Sequence, residues 1–369
     1  MSSSSTPPGR HESPGRRESS KRREATETRT SDLSFLAEVR DAVAPRTVAL
    51  VAGVLLLQLA FILSYVGAFH SPKPHHIEVA VLAPAQVSAR TVAQLNGLPS
   101  EPIHATAAAD EATALTRLRE AKTAAVFIID PSTTRDTLLV ASGGGTAVAT
   151  AVEAVLTQAE VNQHRTLATR DVIPTQAGDA RGLSGFYLVI GWIVGGYLVA
   201  ALLGVAKGSR PATTRRAIIR LLAVIPYAIL SGLGGAVIIG PVLGALTGHL
   251  LALWGLGTLL VLAAATVTMA FQVLFGVLGI GVTVLLFVVL GNPSAGGAYQ
   301  PALLPPFWRA LSPALPNGAG TDAVRRIVYF GSHGITSQLL VILCYAVAGA
   351  GAAVGACTLQ HRQRRAQPD

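Results

Sequence analysis

The chain has 369 residues, half of them apolar and only 13% charged, against roughly a quarter charged in an ordinary soluble domain. Its formal net charge is +9, yet no Lys, Arg, Asp or Glu occurs between Arg220 and Arg309. A stretch of that length cannot stay in water, which excludes a soluble enzyme, a nucleic-acid binder and a disulfide-stapled secreted domain and implies a polytopic membrane protein.

Residues 1–31 are rich in Ser, Arg, Glu and Pro, with almost no large apolar side chains. Such a segment cannot bury enough surface to offset its ordering entropy, and a disordered cytoplasmic tail is predicted. Residues 32–46 read as a short amphipathic lead-in, capped by Ser31 or Asp32. The first apolar run follows Arg46. It is too long for a signal-peptide core, so it is read as a retained anchor.

About 20 apolar residues cross a bilayer core as helix. Six segments are assigned on that basis: Thr47–Phe69, Ser184–Ala206, Ala217–Ile239, His249–Phe271, Leu274–Gly291 and Thr336–Thr358. The fifth is the shortest, and only Gln272 and Gly276 interrupt the apolar run it shares with the fourth. Basic residues set the orientation. Lys207, Arg210, Arg215, Arg216 and Arg220 follow the second span without an acid, and Arg362, Arg364 and Arg365 follow the sixth. Cytoplasmic loops collect Lys and Arg, so both termini are placed inside and residues 70–183 outside. The tail 359–369 is then cytoplasmic.

Within 70–183, strand-like runs alternate with helical ones. Strands are predicted at Ile77–Leu82, Pro102–Ala107, Ala124–Ile129, Thr137–Ala141 and Thr169–Thr175, and helices at Ala85–Leu95, Ala109–Lys122 and Thr146–His164. This alternation implies a small α/β layer with parallel pairing. The expected fold is therefore an all-α polytopic membrane domain of six helices, one plus five, with that α/β domain inserted between the first and second spans.

Gly143-Gly144-Gly145 precedes a helix but lacks the further glycines or Lys-Ser/Thr of a phosphate loop, and is read as a flexible turn. His70, His75 and His76 lie just outside the first span. A metal site needs three or four convergent ligands, and no Cys or acid stands beside them in sequence, so they are read as juxtamembrane polar residues. Cys344 and Cys357 both fall in the last span, too far apart to bridge within one helix. No cofactor and no enzymatic activity are expected, because no paired acids, metal cluster or Ser/His arrangement lies at membrane depth.

The interiors of the spans hold no ionisable residue of the kind that proton- and ion-coupled transporters use. Their polar residues are mild, and Gln58, Tyr187, Tyr197 and Ser231 are the candidates for a translocation path. Pro226 should bend the third span. Gly191/Gly195, Gly240/Gly244/Gly248 and Gly351/Gly355 recur at four-residue spacing, which suits close helix packing within one subunit or a seam in a homodimer. No nucleotide-hydrolysing loop is present, so uphill transport would need a separate ATPase. Its docking surface would centre on Lys207, Arg210, Arg215 and Arg216. The loop 292–335 is broken by prolines. Pro305, Pro306, Phe307 and Trp308, with Arg325 and Arg326 on a following helix over Thr321–Phe330, are assigned to the outer headgroup zone, with re-entrant turns permitted where protein covers their backbone.

The run Ala124-Ala125-Val126-Phe127-Ile128-Ile129-Asp130-Pro131, the strand Ile77–Leu82 and the stretch Asn292-Pro293-Ser294…Leu304-Pro305-Pro306-Phe307-Trp308…Leu315-Pro316 resemble motifs of ABC-2-type export permeases, in particular the branch of phage infection protein-like membrane proteins. The likeness covers about residues 45–358. It implies one span, an external domain, a five-span block and export of a hydrophobic or amphipathic molecule driven by a separate ATPase. The external domain is compact beside the long coiled inserts of some relatives. A second reading stays open: a non-transporting scaffold, secretion accessory or surface receptor acting through residues 70–183.

Overall fold

A computed structural model describes residues 45–208 and 213–366. The tail 1–31, the lead-in as far as residue 44, Arg210 and the last three residues lie outside the described residues, as do the side chains of Lys207, Arg364 and Arg365.

Helix α1 spans Pro45–Phe69. Residues up to Leu59 form a unit of their own, and Val51, Val54 and Leu56 on it are exposed. From Ala60 onward the chain is a second unit. There Ala68 packs with Leu304 and Trp308, and the Phe69 ring meets Tyr299.

The α/β domain follows as β1 (Ile77–Leu82), α2 (Ala85–Asn96), β2 (Ile103–Ala107), α3 (Glu111–Arg119), β3 (Ala125–Ile128), β4 (Arg135–Val140), α4 (Thr146–Asn162) and β5 (Thr166–Asp171). The strand order is β2-β1-β3-β4-β5. β1 is parallel to β2 and β3, and β4 to β5, but β3 and β4 run antiparallel. The all-parallel expectation fails at that one pair because the connection is too short. A parallel crossover needs a dozen or more residues, whereas only a tight turn joins β3 to β4. Asp130 builds that turn by accepting from Ser132 N at 2.9 Å. The central strands are buried on both faces. Leu95, Val152 and Leu156 of α2 and α4 cover one side, and Ala114 and Leu118 of α3 cover the other. Asp110 caps α3 by accepting from Thr113 N at 2.7 Å.

The remaining helices are α5 (Ser184–Lys207), α6 (Thr214–Val237, continued by a π turn Ile238–Val242), α7 (Leu250–Phe275), α8 (Leu278–Ser294), α9 (Pro306–Leu311), α10 (Pro316–Tyr329) and α11 (Thr336–Ala366). Among the described residues five helices, rather than the six expected, are long and apolar enough to cross a membrane: α1, α5, α6 with its π turn, α7 and α11. These mark a multi-pass membrane protein. The predicted spans at 249–271 and 274–291 divide at Gly276 (φ +65°), so α7 gains length and α8 keeps only 17 residues. Leu285–Leu290 of α8 is π-helical. α7 is the hub, with 56% of its apolar window buried against 6% for α1. α5, α6 and α11 pack around it through Trp192, Ala228 and Ile342.

At one end of the bundle Ala217, Val273 and Cys357 pack together, and Gln360 Nε2 donates to Val273 O at 3.0 Å. α8 leaves that end at Gly276 and finishes beside α10, where Asn317 Nδ2 donates to Asn292 Oδ1 and Phe287 O, both at 2.9 Å. A π turn misaligns helical carbonyls with their usual donors, and the Asn317 amide supplies one to Phe287. The Asn292 motif is thus a structural joint between α8 and α10.

The outer segment also departs from expectation. The helix expected over Thr321–Phe330 begins earlier, at Pro316, and most of it is buried, Arg325 included. It is packed inside the protein rather than along its surface. Val324 and Ile327 join the helix core, while Phe330 joins the core of the α/β domain.

Candidate functional site

The α/β domain rests on the helices through few, specific joints. The triple glycine forms one of them. A Cβ on Gly143 would stand 2.6 Å from the Tyr329 ring, and one on Gly145 would collide with Gln300. The segment is a tight 3₁₀ turn shaped for this approach rather than the flexible turn expected. Gln300 Oε1 accepts from Val148 N at 3.2 Å, His75 N donates to Ala302 O at 2.9 Å, and Tyr329 Oη donates to Asp179 Oδ2 at 3.0 Å.

Between these joints lies a partly open cavity of about 570 Å³. Its upper wall is one end of the sheet, where β1 and β3 begin and β4 finishes: Glu78, Lys122, Thr123 and Ala141. Its lower wall comes from α9, α10 and the first turns of α11, namely Arg309, Asp322, Arg325, Arg326, Gln338 and Val341. The size is that of a small-molecule site, and the lining is largely apolar with a few polar groups.

Four cations, Lys122, Arg309, Arg325 and Arg326, border the cavity against two carboxylates, Glu78 and Asp322. Both carboxylates are engaged. Asp322 Oδ2 accepts from Arg326 Nε at 2.8 Å and from Gln338 Nε2, and Glu78 meets His104 Nδ1 at 2.9 Å. Lys122 pairs with Glu120 at 2.6 Å. That leaves two guanidiniums with no salt bridge among the described residues. Arg325 is 7% exposed and donates to the carbonyls of Gly296 at 2.6 Å and Gly297 at 3.3 Å. Arg309 donates to Leu304 O at 3.0 Å, and its buried Nε has no partner. Burial pushes both guanidiniums below their ordinary value, with Asp322 and Asp179 partly offsetting this for Arg325. Arg325 is buried without a salt bridge, which is costly for a cation, while Arg309 is half-buried.

Of the sequence candidates, the structure brings Arg325 and Arg326 to this cavity. Trp308 is buried beneath it against Ala68 and Leu304, while Pro306 and Phe307 are exposed and Pro305 is half-buried. Gln58, Tyr187, Tyr197 and Ser231 do not border it. Gln58 and Tyr187 are exposed and Tyr197 is half-buried against the helix core. The Ser231 carbonyl accepts from Trp192 Nε1 at 3.2 Å. Arg215 and Arg216 are exposed. Gly351 and Gly355 meet no neighbouring atom that an added Cβ would touch, whereas Gly349, outside the flagged pair, does.

Arg309, Asp322, Lys122 and Gln338 were not flagged by sequence. One signal was present: Arg309 is the first charged residue after the uncharged run that starts beyond Arg220.

His76 finds its acidic partner far along the chain rather than in nearby Glu78, which is engaged by His104. His76 Nε2 and Glu101 Oε2 lie 2.7 Å apart, and donor atoms of His75, His76 and Glu101 fall within 4.8 Å of one another. The His75 and His76 rings are stacked at 4.0 Å and 13°. Lone pairs lie in the ring planes, so two nearly parallel rings do not aim at a common ion. The arrangement serves as a hydrogen-bonded pair closing the turn before β1, where His76 N also donates to Glu101 O at 2.8 Å.

Comparison with known protein families, curated proteins and solved structures finds no match.

Proposed function

We propose that this chain is the permease subunit of an ABC-2-like exporter of the phage infection protein-like branch, moving a hydrophobic or amphipathic molecule outward with energy from a separate ATPase. The observation that carries this reading is the cavity. It joins cationic groups to an apolar lining at the level where α11 begins, which is where a polar-headed molecule leaving a bilayer would pass. In this reading α8 completes a sixth crossing, the α/β domain is extracytoplasmic, and both termini with Arg215 and Arg216 face the cytoplasm of a bacterial cell. The ATPase docks on that basic end, and the chain itself catalyses no reaction. Deleting the gene and measuring efflux of an amphipathic dye, alongside affinity purification from detergent, tests it. Retained dye and a co-purifying nucleotide-binding subunit support the reading. Unchanged efflux with no such subunit refutes it.

The competing reading, a non-transporting scaffold or receptor, draws on the filled helix core, where Trp192, Leu260 and Val261 close the space between α5, α6 and α7. Binding of a partner to the α/β domain with unchanged efflux in the deletion strain would favour it.

A further inference from the structure

We infer that the cavity between the sheet end and α9–α11 is a binding site for a phosphate-bearing amphiphile, with Arg309 and Arg325 as the anion-binding groups. The inference rests on the membrane reading of the helices, and deepens the proposed function by naming a ligand class for its site.

Three observations lead to it. First, the charge in the cavity is unbalanced in a particular way. Asp322 is consumed by Arg326 and Gln338, and Glu78 by His104, so the two guanidiniums left over have only carbonyl partners. A desolvated Arg held by carbonyls alone gains most from an oxyanion, because each N–H···O⁻ bond is roughly twice as strong as its neutral counterpart. The unpartnered Arg309 Nε is a donor already desolvated and still unused. Second, about 570 Å³ is far more space than a bare phosphate fills, and the rest of the wall is apolar: Ile77, Val148, Ala319, Phe330 and Val341. Third, Ser337, Gln338 and Val341 lie in the first turns of α11, a membrane-capable helix, so the cavity stands where the headgroups of a surrounding bilayer would lie. A carboxylate amphiphile would satisfy one guanidinium. A phosphate, with more charge and three acceptor oxygens, accepts more of the unused N–H donors.

The test uses the full chain purified in a neutral detergent and titrated with three probes: short-chain phosphatidic acid, the matching diacylglycerol and inorganic phosphate. Phosphatidic acid should bind at least about tenfold more tightly than either of the others, the factor expected when head and tail each contribute a kcal/mol or more. Arg309→Gln should weaken phosphatidic acid by about tenfold or more, while Arg90→Gln, an exposed cation on α2 away from the cavity, should leave it unchanged. Arg325 is buried and its loss risks the fold. If Arg309→Gln does not fold either, Lys122→Gln on the exposed rim should raise the dissociation constant by a smaller factor. Diacylglycerol binding equal to phosphatidic acid overturns the inference, and so does phosphate binding equal to it, which would make this a free-anion site. Binding indifferent to Arg309→Gln, or to Lys122→Gln in its place, overturns it too. No ATPase enters this assay. Intact binding without export therefore counts only against the export reading, and export without binding counts only against this inference.

Discussion

Glu160 should make the α/β domain lose stability as pH rises. Asp136 and Glu160 are both buried, at 0% and 3% exposure, and share a single cation, Arg165. The guanidinium is committed to Asp136, donating from Nε and Nη2 at 2.6 Å each, while Glu160 Oε2 lies 3.5 Å from its Nε, beyond hydrogen-bond geometry. Burial, then the hydrogen bond and charge of Asp136, push Glu160 up to about 7, and Arg165 only partly offsets them. Burial alone would raise Asp136 too, but its hydrogen bonds, led by that from Arg165, hold it below its usual range. Asp130, whose backbone N donates to Asp136, faces the same cluster. For Glu160 the folded state binds the proton more tightly than the unfolded state. Its contribution is therefore complete below about pH 4.5 and is lost as pH climbs through 7. Asp136 works the other way, adding stability above its unfolded value near 4 and losing it only in stronger acid, outside this window. Between pH 5 and 8 the Glu160 effect dominates. A displacement of about 2.5 pH units corresponds to at most about 3 kcal/mol. For a domain of this size that is several degrees of melting temperature. Calorimetry of the full chain in detergent should show the wild type melting several degrees lower at pH 8 than at pH 5. Glu160→Gln, which keeps the shape and donates an N–H toward Asp136, should be nearly flat and should exceed the wild type at pH 8. An equal fall in Glu160→Gln, or no fall in the wild type, would refute the assignment.

Three further perturbations have defined outcomes. Asn317→Leu removes the donor to Phe287 O and Asn292 Oδ1 and should cost about 1–3 kcal/mol, read as a lower melting temperature and a loss of monodisperse protein. Gly349→Ala would place a methyl 2.6 Å from Val267 N and should force α11 away from α7, whereas Gly351→Ala two residues on meets open space and should leave the melting temperature unchanged. Tyr329→Phe deprives Asp179 of its hydroxyl donor, and faster hydrogen exchange confined to the segment 172–184 would report the loosened joint.

Helix-forming apolar runs and alternating strands were legible because they are local properties of the chain. Every predicted strand and helix of the α/β domain exists, with ends shifted by a few residues, as at Thr169–Thr175 against Thr166–Asp171. The boundary between the fourth and fifth predicted spans moves for a local cause as well. Hydropathy does not register that the positive φ at Gly276 places the break later than Gln272 suggests, which leaves the following helix 17 residues. The cavity was illegible for a different reason. Its charges come from segments far apart in sequence, and whether a given Arg is paired depends on which carboxylates the fold delivers. Arg325 and Arg326 are adjacent in sequence, yet one holds Asp322 and the other has only carbonyls. Tyr187, Tyr197 and Ser231 stand out as polar residues in apolar runs, a local signal that carries no information on which side chains border the cavity, and none of the three does.

The position of the cavity follows from connectivity. Open α/β sheets usually bind ligands beyond the carboxyl ends of their parallel strands. Here that end of β3 is occupied by the Asp130 turn and the Asp136–Arg165 pair. Because α1 feeds directly into β1, the amino ends of the strands are the ones held against the helices, and Gly143, Gln300 and Tyr329 fix the distance between the two layers. α10 carries both Arg325, in the cavity wall, and Tyr329, in the joint. A displacement of the α/β domain that opened the cavity would have to break the Tyr329–Asp179 bond or carry α10 along. If α10 follows, Asn317 transmits the movement to α8, which runs to the opposite end of the bundle at Gly276. α8 therefore links the Asn317 joint beside the cavity to the end of the bundle that carries Arg215 and Arg216.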